Sequence, residues 1–140
     1  MKKILIASDH AGFKLKTQLI PLIEKKFKLN DLGPVNDNSV DYPDLALKLS
    51  KKISKSKNLF GILICGSGMG MAIAANKVKN VRAALCYSTK NTELSRLHNN
   101  ANIITLGSRL TSKKKAIQLI NLFLSTKFEG GRHLRRIKKI

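Results

Sequence analysis

Five times along this chain a short, mostly apolar run gives way to a stretch with helical periodicity. No other feature constrains the fold as strongly. The runs are "KILIAS" (3–8), "KLNDLG" (28–33), "FGILIC" (60–65), "VRAALC" (81–86) and "ANIITLG" (101–107). Between and after them lie amphipathic segments at 12–27, 44–55, 70–78, 88–99 and 111–126. In the first of these, Phe13, Leu15, Leu19, Ile20, Leu22 and Ile23 recur near a 3.6-residue period, and Pro21 predicts a kink or break. The segment 34–43 is rich in Asn, Asp and Pro and reads as loop. Ser88 or Thr89 is a plausible N-cap for the fourth helix. The tail 128–140 is expected to end in a short helix.

Strand and helix in repeated alternation imply parallel strands joined by helical crossovers. Strands without polar alternation are covered on both faces. The expected fold is α/β: a single doubly wound, Rossmann-like domain over 1–140, with a five-stranded parallel sheet in a three-layer αβα sandwich. A chain of 140 residues can bury a substantial core in one domain, and no linker, repeat or low-complexity segment divides it. No apolar run approaches the ~18 residues of a membrane helix. The opening "MKKILIASDH" has two lysines and an apolar stretch, but Asp9 and His10 cut it short of a signal peptide. The expectation is a cytoplasmic protein.

Composition excludes several chemistries. Cys65 and Cys86 form no CxxC pair, and His10, His98 and His133 show no metal-ligand spacing, so neither a disulfide framework nor a metal site is expected. The net charge of +19 raises the possibility of a polyanion partner. Yet the lysines are spread along the chain, aromatic residues make up only 5%, and no base-reading motif is present. Specific nucleic-acid binding is the remote alternative. The arginines differ, because Arg132, Arg135 and Arg136 cluster in "GGRHLRRIKKI".

In doubly wound folds, ligands sit outside the carboxyl ends of the strands. That rule selects loops 8–12, 65–70, 86–89 and 106–109. In "ILICGSGMG" the glycines Gly66, Gly68 and Gly70 allow a tight turn and close approach to a ligand. A helix start there offers N–H groups to an anion and favours a thiolate at Cys65. A buried cysteine before a glycine turn is the plain alternative. The loop fits no P-loop, since no Lys-Ser/Thr follows, and no dinucleotide fingerprint, since Met71 stands where a small residue is needed. It is no nucleophile elbow either, because Cys65 lies two before Ser67.

"SDHAG" places Asp9 and His10 at the same rim, as hydroxyl and anion ligands or as a helix cap with a chance histidine. "GSR" places Arg109 beyond the fifth strand. His98 and Asn99 end the fourth helix, where a histidine can equally serve the helix dipole. Arg132 and Arg136 share a face if the tail is helical, either as a phosphate clamp or as a solvated basic tail. Together these groups suit proton transfer next to the carbonyl of a phosphorylated sugar.

"SDHAG", "DYPD", "GILICGSGMGMAIAANK", "RAALCYS", "LSRLHNNANIITLGSR" and "FEGGRHLRRI" resemble the ribose-5-phosphate isomerase B family and the related galactose-6-phosphate isomerase subunits. The likeness runs over essentially the whole chain. It implies interconversion of D-ribose 5-phosphate and D-ribulose 5-phosphate in the non-oxidative pentose phosphate pathway, with no metal or organic cofactor. It also implies a homodimer, in some members paired into a dimer of dimers, with sites shared between subunits, and no membrane partner. By resemblance, Cys65 is the base that moves the C2 proton to C1 through a cis-enediolate, and some relatives carry a carboxylate there. The backbone of Gly66, Ser67, Gly68, Met69 and Gly70 holds the oxyanion, and Ser67 assists transfer between O1 and O2. Asp9 binds hydroxyls, Tyr42 shapes the pocket, His98 opens the furanose and Asn99 supports the enediolate. His10, Arg109, Arg132 and Arg136 bind the phosphate. Galactose or allose 6-phosphate is the alternative substrate.

Overall fold

The computed structural model describes residues 2–140. Five strands, β1 (Lys3–Ser8), β2 (Lys28–Asp31), β3 (Leu59–Cys65), β4 (Ala83–Leu85) and β5 (Ile103–Gly107), form one parallel sheet in the order β2-β1-β3-β5-β4. Six helices accompany them: α1 (Phe13–Glu24), α2 (Tyr42–Ile53), α3 (Met69–Ala75), α4 (Thr89–Leu97), α5 (Lys113–Ser125) and α6 (Arg132–Ile137). The expected α/β sandwich is what forms. No helix is long and apolar enough to cross a membrane among the described residues.

β1, β3 and β5 feed two cores, because successive side chains point to opposite faces. Ile4, Ile6, Ile62, Ile64, Ile104 and Leu106 pack with α1 and α5, whereas Leu5, Ala7, Leu63, Cys65 and Ile103 pack with α2 and α3. Both faces are therefore covered, which is why the strands carry no polar alternation. Burying one such Leu or Ile side chain contributes roughly 1.5–3 kcal/mol.

Several boundaries differ from expectation. Pro21 does not break α1, which runs on through Glu24 with Pro21 on its exposed side. Leu19 and Ile23, both buried, anchor the helix on either side of it. α2 begins at Tyr42 rather than 44, because Pro43 pre-sets the first helical turn. β2 stops at Asp31, whose carboxylate accepts the Gly33 N–H at 2.9 Å and turns the chain out of the sheet. β4 is a short edge strand of three residues. Ser88 caps α4 in a capping box with Asn91, and Ser112 caps α5 through the Lys115 N–H.

The chain turns from β1 toward β2 on one side, and β3 lies on the other. A crevice opens at such a reversal, outside the carboxyl ends of the strands.

Candidate active site

Cys65 is the last residue of β3, and its side chain is buried on the α2–α3 face. Its Sγ accepts the Gly68 N–H at 3.1 Å. The turn needs glycine at 68: φ is +78°, and a Cβ there would lie 2.6 Å from Leu85 Cδ1 and 2.9 Å from the Leu106 carbonyl carbon. β5 holds the loop from beside it. Thr105 Oγ1 donates to the Gly68 carbonyl at 2.9 Å, the Ser108 N–H to the Cys65 carbonyl at 2.8 Å, and the Arg109 N–H to the Gly66 carbonyl at 3.0 Å. Ser67 Oγ accepts the Met69 N–H at 3.2 Å, and Met69 itself is exposed at the start of α3.

β1 adds the next wall. The Asp9 N–H donates to the Ile64 carbonyl at 3.1 Å, which sets Asp9 beside the end of β3. The Asp9 carboxylate is nearly buried and accepts the Gly12 N–H at 3.0 Å, which fixes the turn ahead of α1; the N-cap of α1 is Gly12, so Asp9 is not the helix cap. The Ser108 hydroxyl donates to the Ala11 carbonyl at 2.8 Å and closes the seam between the β1 and β5 loops. His10 is exposed, with Nδ1 accepting the Val40 N–H at 3.2 Å, which leaves its proton on Nε2. The Tyr42 ring lies flat enough on the loop that a Cβ at Gly70 would meet it at 2.5 Å. The Arg109 guanidinium lies over Gly66 in the same way, 2.6 Å from where a Cβ would stand.

One rim thus gathers Asp9, His10, Tyr42, Gly66, Ser67, Gly68, Met69, Gly70, Arg109 and Cys65. His98, Asn99, Arg132 and Arg136 are elsewhere. His98 is the C-cap of α4. Four residues on, the Asn102 carbonyl accepts the N–H of Gly61, near the start of β3. Gly61 precedes Cys65 by four residues of β3, which at ~3.3 Å each sets the two groups about 13 Å or more apart, at opposite ends of the sheet.

This second region is built from side chains. The His98 ring stacks on His133, with centroids 4.1 Å apart and planes within 13°. Glu129 anchors its N–H on the Leu97 carbonyl at 3.1 Å and presents its carboxylate to both rings. Arg132 and Arg136 stand exposed on α6, which is helical as expected but ends at Ile137. Arg96, which is buried, donates to the Thr126 carbonyl at 3.1 Å and to Asn100 Oδ1 at 2.9 Å. Arg82 Nε donates to the Asn99 carbonyl at 2.9 Å. Burial lowers the pKa of both guanidiniums, and for Arg96 the charge of Arg82 lowers it further. The two arginines strap the turn that carries His98 and Asn99. Neither they nor Thr105 announce this role in the sequence, because their partners are backbone carbonyls supplied by the fold. Glu129 and His133 sit inside the "EGGRH" string, which signals the family but not their contact with His98.

Residues 4–140 match the Ribose/Galactose Isomerase family. The chain belongs to this family. The ribose-5-phosphate isomerase B of Escherichia coli strain K12 is 37% identical over 141 residues, covering 100% of this chain and 95% of its own. Two solved structures are similarly close. A ribose 5-phosphate isomerase of Thermotoga maritima superposes with a TM-score of 0.95 at 47% identity, covering 99% of this chain and 96% of that one. The ribose-5-phosphate isomerase B of Mycoplasma genitalium, solved with bound ribulose-5-phosphate, gives 0.91 at 48% identity, covering 98% and 92%. This member of the family is thus a sugar-phosphate isomerase, and the glycine-lined rim occupies the strand-end crevice where such folds hold ligands.

Proposed function

We propose that this isomerase interconverts D-ribose 5-phosphate and D-ribulose 5-phosphate, with Cys65 as the base, in the cytoplasmic pentose phosphate pathway. The observation that carries the reading is the Cys65 sulfur at a strand end, accepting the Gly68 N–H at 3.1 Å inside a turn of backbone amides. A donor aimed at sulfur stabilises the charge a thiolate carries. With the open aldehyde bound, the thiolate takes the C2 proton, and the C–H electron pair forms the C1=C2 bond as negative charge moves to O1. Backbone N–H groups of 66–70 hold that oxyanion, an effect worth ~10²–10³ in rate. A proton passes from O2 to O1 with help from Ser67. The sulfur then returns its proton to C1 while C2=O2 forms. No external electron donor or acceptor is needed.

On this rim Asp9 is assigned to hydroxyls and His10 and Arg109 to the phosphate, which leaves ring opening and the rest of the phosphate clamp to other groups. We infer that a second copy supplies His98, Asn99, Arg132 and Arg136, so the functional unit is a homodimer. Its surface supports this. Met69 is 53% and Ile73 66% exposed, one turn apart on α3 directly after the cysteine loop, and Leu110 lies 73% exposed past β5. In this arrangement Asp9 binds hydroxyls, Tyr42 bounds the pocket, and His10 and Arg109 join the partner's arginines on the phosphate. The 1–140 chain acts as one domain, with its tail reaching the neighbour's site.

Purified protein should form ribulose 5-phosphate from ribose 5-phosphate without added cofactor. A panel including galactose and allose 6-phosphates measures the choice. A higher kcat/KM on a hexose phosphate would replace the pentose reading.

A further inference from the structure

Two side chains beside His98 take no part in the steps above. Glu129 Oε2 lies 3.8 Å from His98 Nε2, and its Oε1 lies 4.0 Å from His133 Nε2. His133 is only 5% exposed, and its Nε2 is buried without a hydrogen-bond partner. A buried polar atom so placed is costly unless a neighbour compensates it. Here the compensating neighbours are the Glu129 carboxylate and the face of the His98 ring.

The surroundings of His133 disfavour its charged form. Burial, then the nearby His98, push the His133 pKa below its ordinary value; Glu129 acts the other way, and Arg132 and Arg136 add to the lowering. His133 is the neutral member. His98 is half-exposed, and its Nε2 faces the Glu129 carboxylate. A metal ion is a poorer reading of the same atoms. The three side chains offer ligand atoms within 4.8 Å of one another. But rings stacked within 13° of parallel keep their in-plane lone pairs in separate planes, and one cation can lie in both only if a ring leaves the stack.

We propose that Glu129 and His133 are positioning residues for furanose opening: the carboxylate keeps the His98 proton on Nε2, and the stacked His133 ring fixes the imidazole plane. His98 Nδ1 is then the free acceptor. It takes the O1 proton, the O1–C1 bond becomes a carbonyl, and the C1–O4 bond breaks with its electron pair going to O4, which takes a proton from solvent. The imidazolium formed on His98 faces the Glu129 charge, as in other carboxylate–histidine pairs. This rests on the assignment of ring opening to His98.

The substrates themselves separate this role from the rest of catalysis. Ribulose 5-phosphate is acyclic, because phosphate occupies the only hydroxyl that could close a five-membered ring on its carbonyl. Exchange of its C1 hydrogen with deuterium from solvent needs Cys65 but no ring opening. Glu129→Gln, at an exposed position, should slow ribose 5-phosphate turnover roughly 10- to 100-fold while leaving C1 exchange, read by proton NMR, within about twofold of wild type. His133→Phe, which keeps the stack but not the nitrogens, should give a smaller loss of the same kind, and Glu129→Asp should recover part of the rate. Unchanged ribose turnover in Glu129→Gln would overturn the proposal, as would equal losses in both assays. Full ribose turnover in His98→Asn would instead remove the ring-opening assignment beneath it, and retained exchange in Cys65→Ala would remove the base.

Discussion

The two ends of the sheet solve the problem of placing reactive groups in different ways. At the carboxyl end, backbone does the placing: a left-handed glycine, its amide on the Cys65 sulfur, and main-chain bonds from Ser108 and Arg109 to the 65–66 carbonyls. At the other end, side chains place one another: His98 on His133, Glu129 facing the Nε2 atoms of both, and Arg82 and Arg96 on the carbonyls of a turn. Backbone geometry is rigid and suits an oxyanion, whose position must not shift as charge develops. Side-chain clusters tune protonation, which suits acid-base work on a ring. Each end therefore has the construction that its proposed half of the reaction requires.

Substitutions can sharpen this division. The largest effect is expected at the backbone-built end. Cys65→Ala should lower kcat by at least ~10³, in both the aldose and the ketose assays, with ligand binding retained. At the side-chain end, His98→Asn should cost roughly 10²-fold on ribose 5-phosphate alone; a comparable loss in ketose C1 exchange would erase the distinction between the ends. Arg132→Ala should raise KM by ~10- to 100-fold, the loss of a charge-assisted phosphate contact, with a smaller change in kcat. An unchanged KM would remove Arg132 from the clamp.

Stability effects divide along the same line. Gly68→Ala forces a side chain onto φ +78° and into the Leu106 backbone, and should lower unfolding free energy by about 2–4 kcal/mol in urea titrations. A silent Gly68→Ala would show that the turn is not held as tightly as its bonds suggest. The smallest effect concerns His133. Its folded pKa lies below the ordinary 6.5, so the unfolded chain binds more protons in that window. The contribution is present above pH ~6.5 and is lost as pH falls through the lowered folded value. The thermal midpoint should decline on acidification, and less so in His133→Phe.

Legibility followed the same physics. The five strands and the strand-end rule placed Asp9, Cys65 and Arg109 together, because hydrophobic period and glycine spacing are local properties of a sequence. Ser88 could be proposed as a cap because a cap is a short-range motif. Tyr42 was expected in a loop, whereas Pro43 draws it into α2, a shift of two residues that sets its ring on Gly70. The separation of His98 from Cys65 was implicit in the placing of His98 at the end of a crossover helix, just before the fifth strand begins. The Glu129–His133 pairing with His98 was not readable, since it needs the tail folded back on α4. Arg96 carries no mark in the sequence of its burial on the Thr126 and Ala101 carbonyls, which the fold supplies.

The central claim is that one reaction site takes its halves from two copies of the chain. Mixing tests it directly: unfold and refold together equal amounts of Cys65→Ala and His98→Asn, each nearly inactive on ribose 5-phosphate. Random pairing makes half of the dimers mixed, and each mixed dimer holds one site with both wild-type groups, so activity should return to about a quarter of wild type. Activity that stays at the level of the separate variants, with mixed dimers demonstrated by differently tagged chains, would contradict the account.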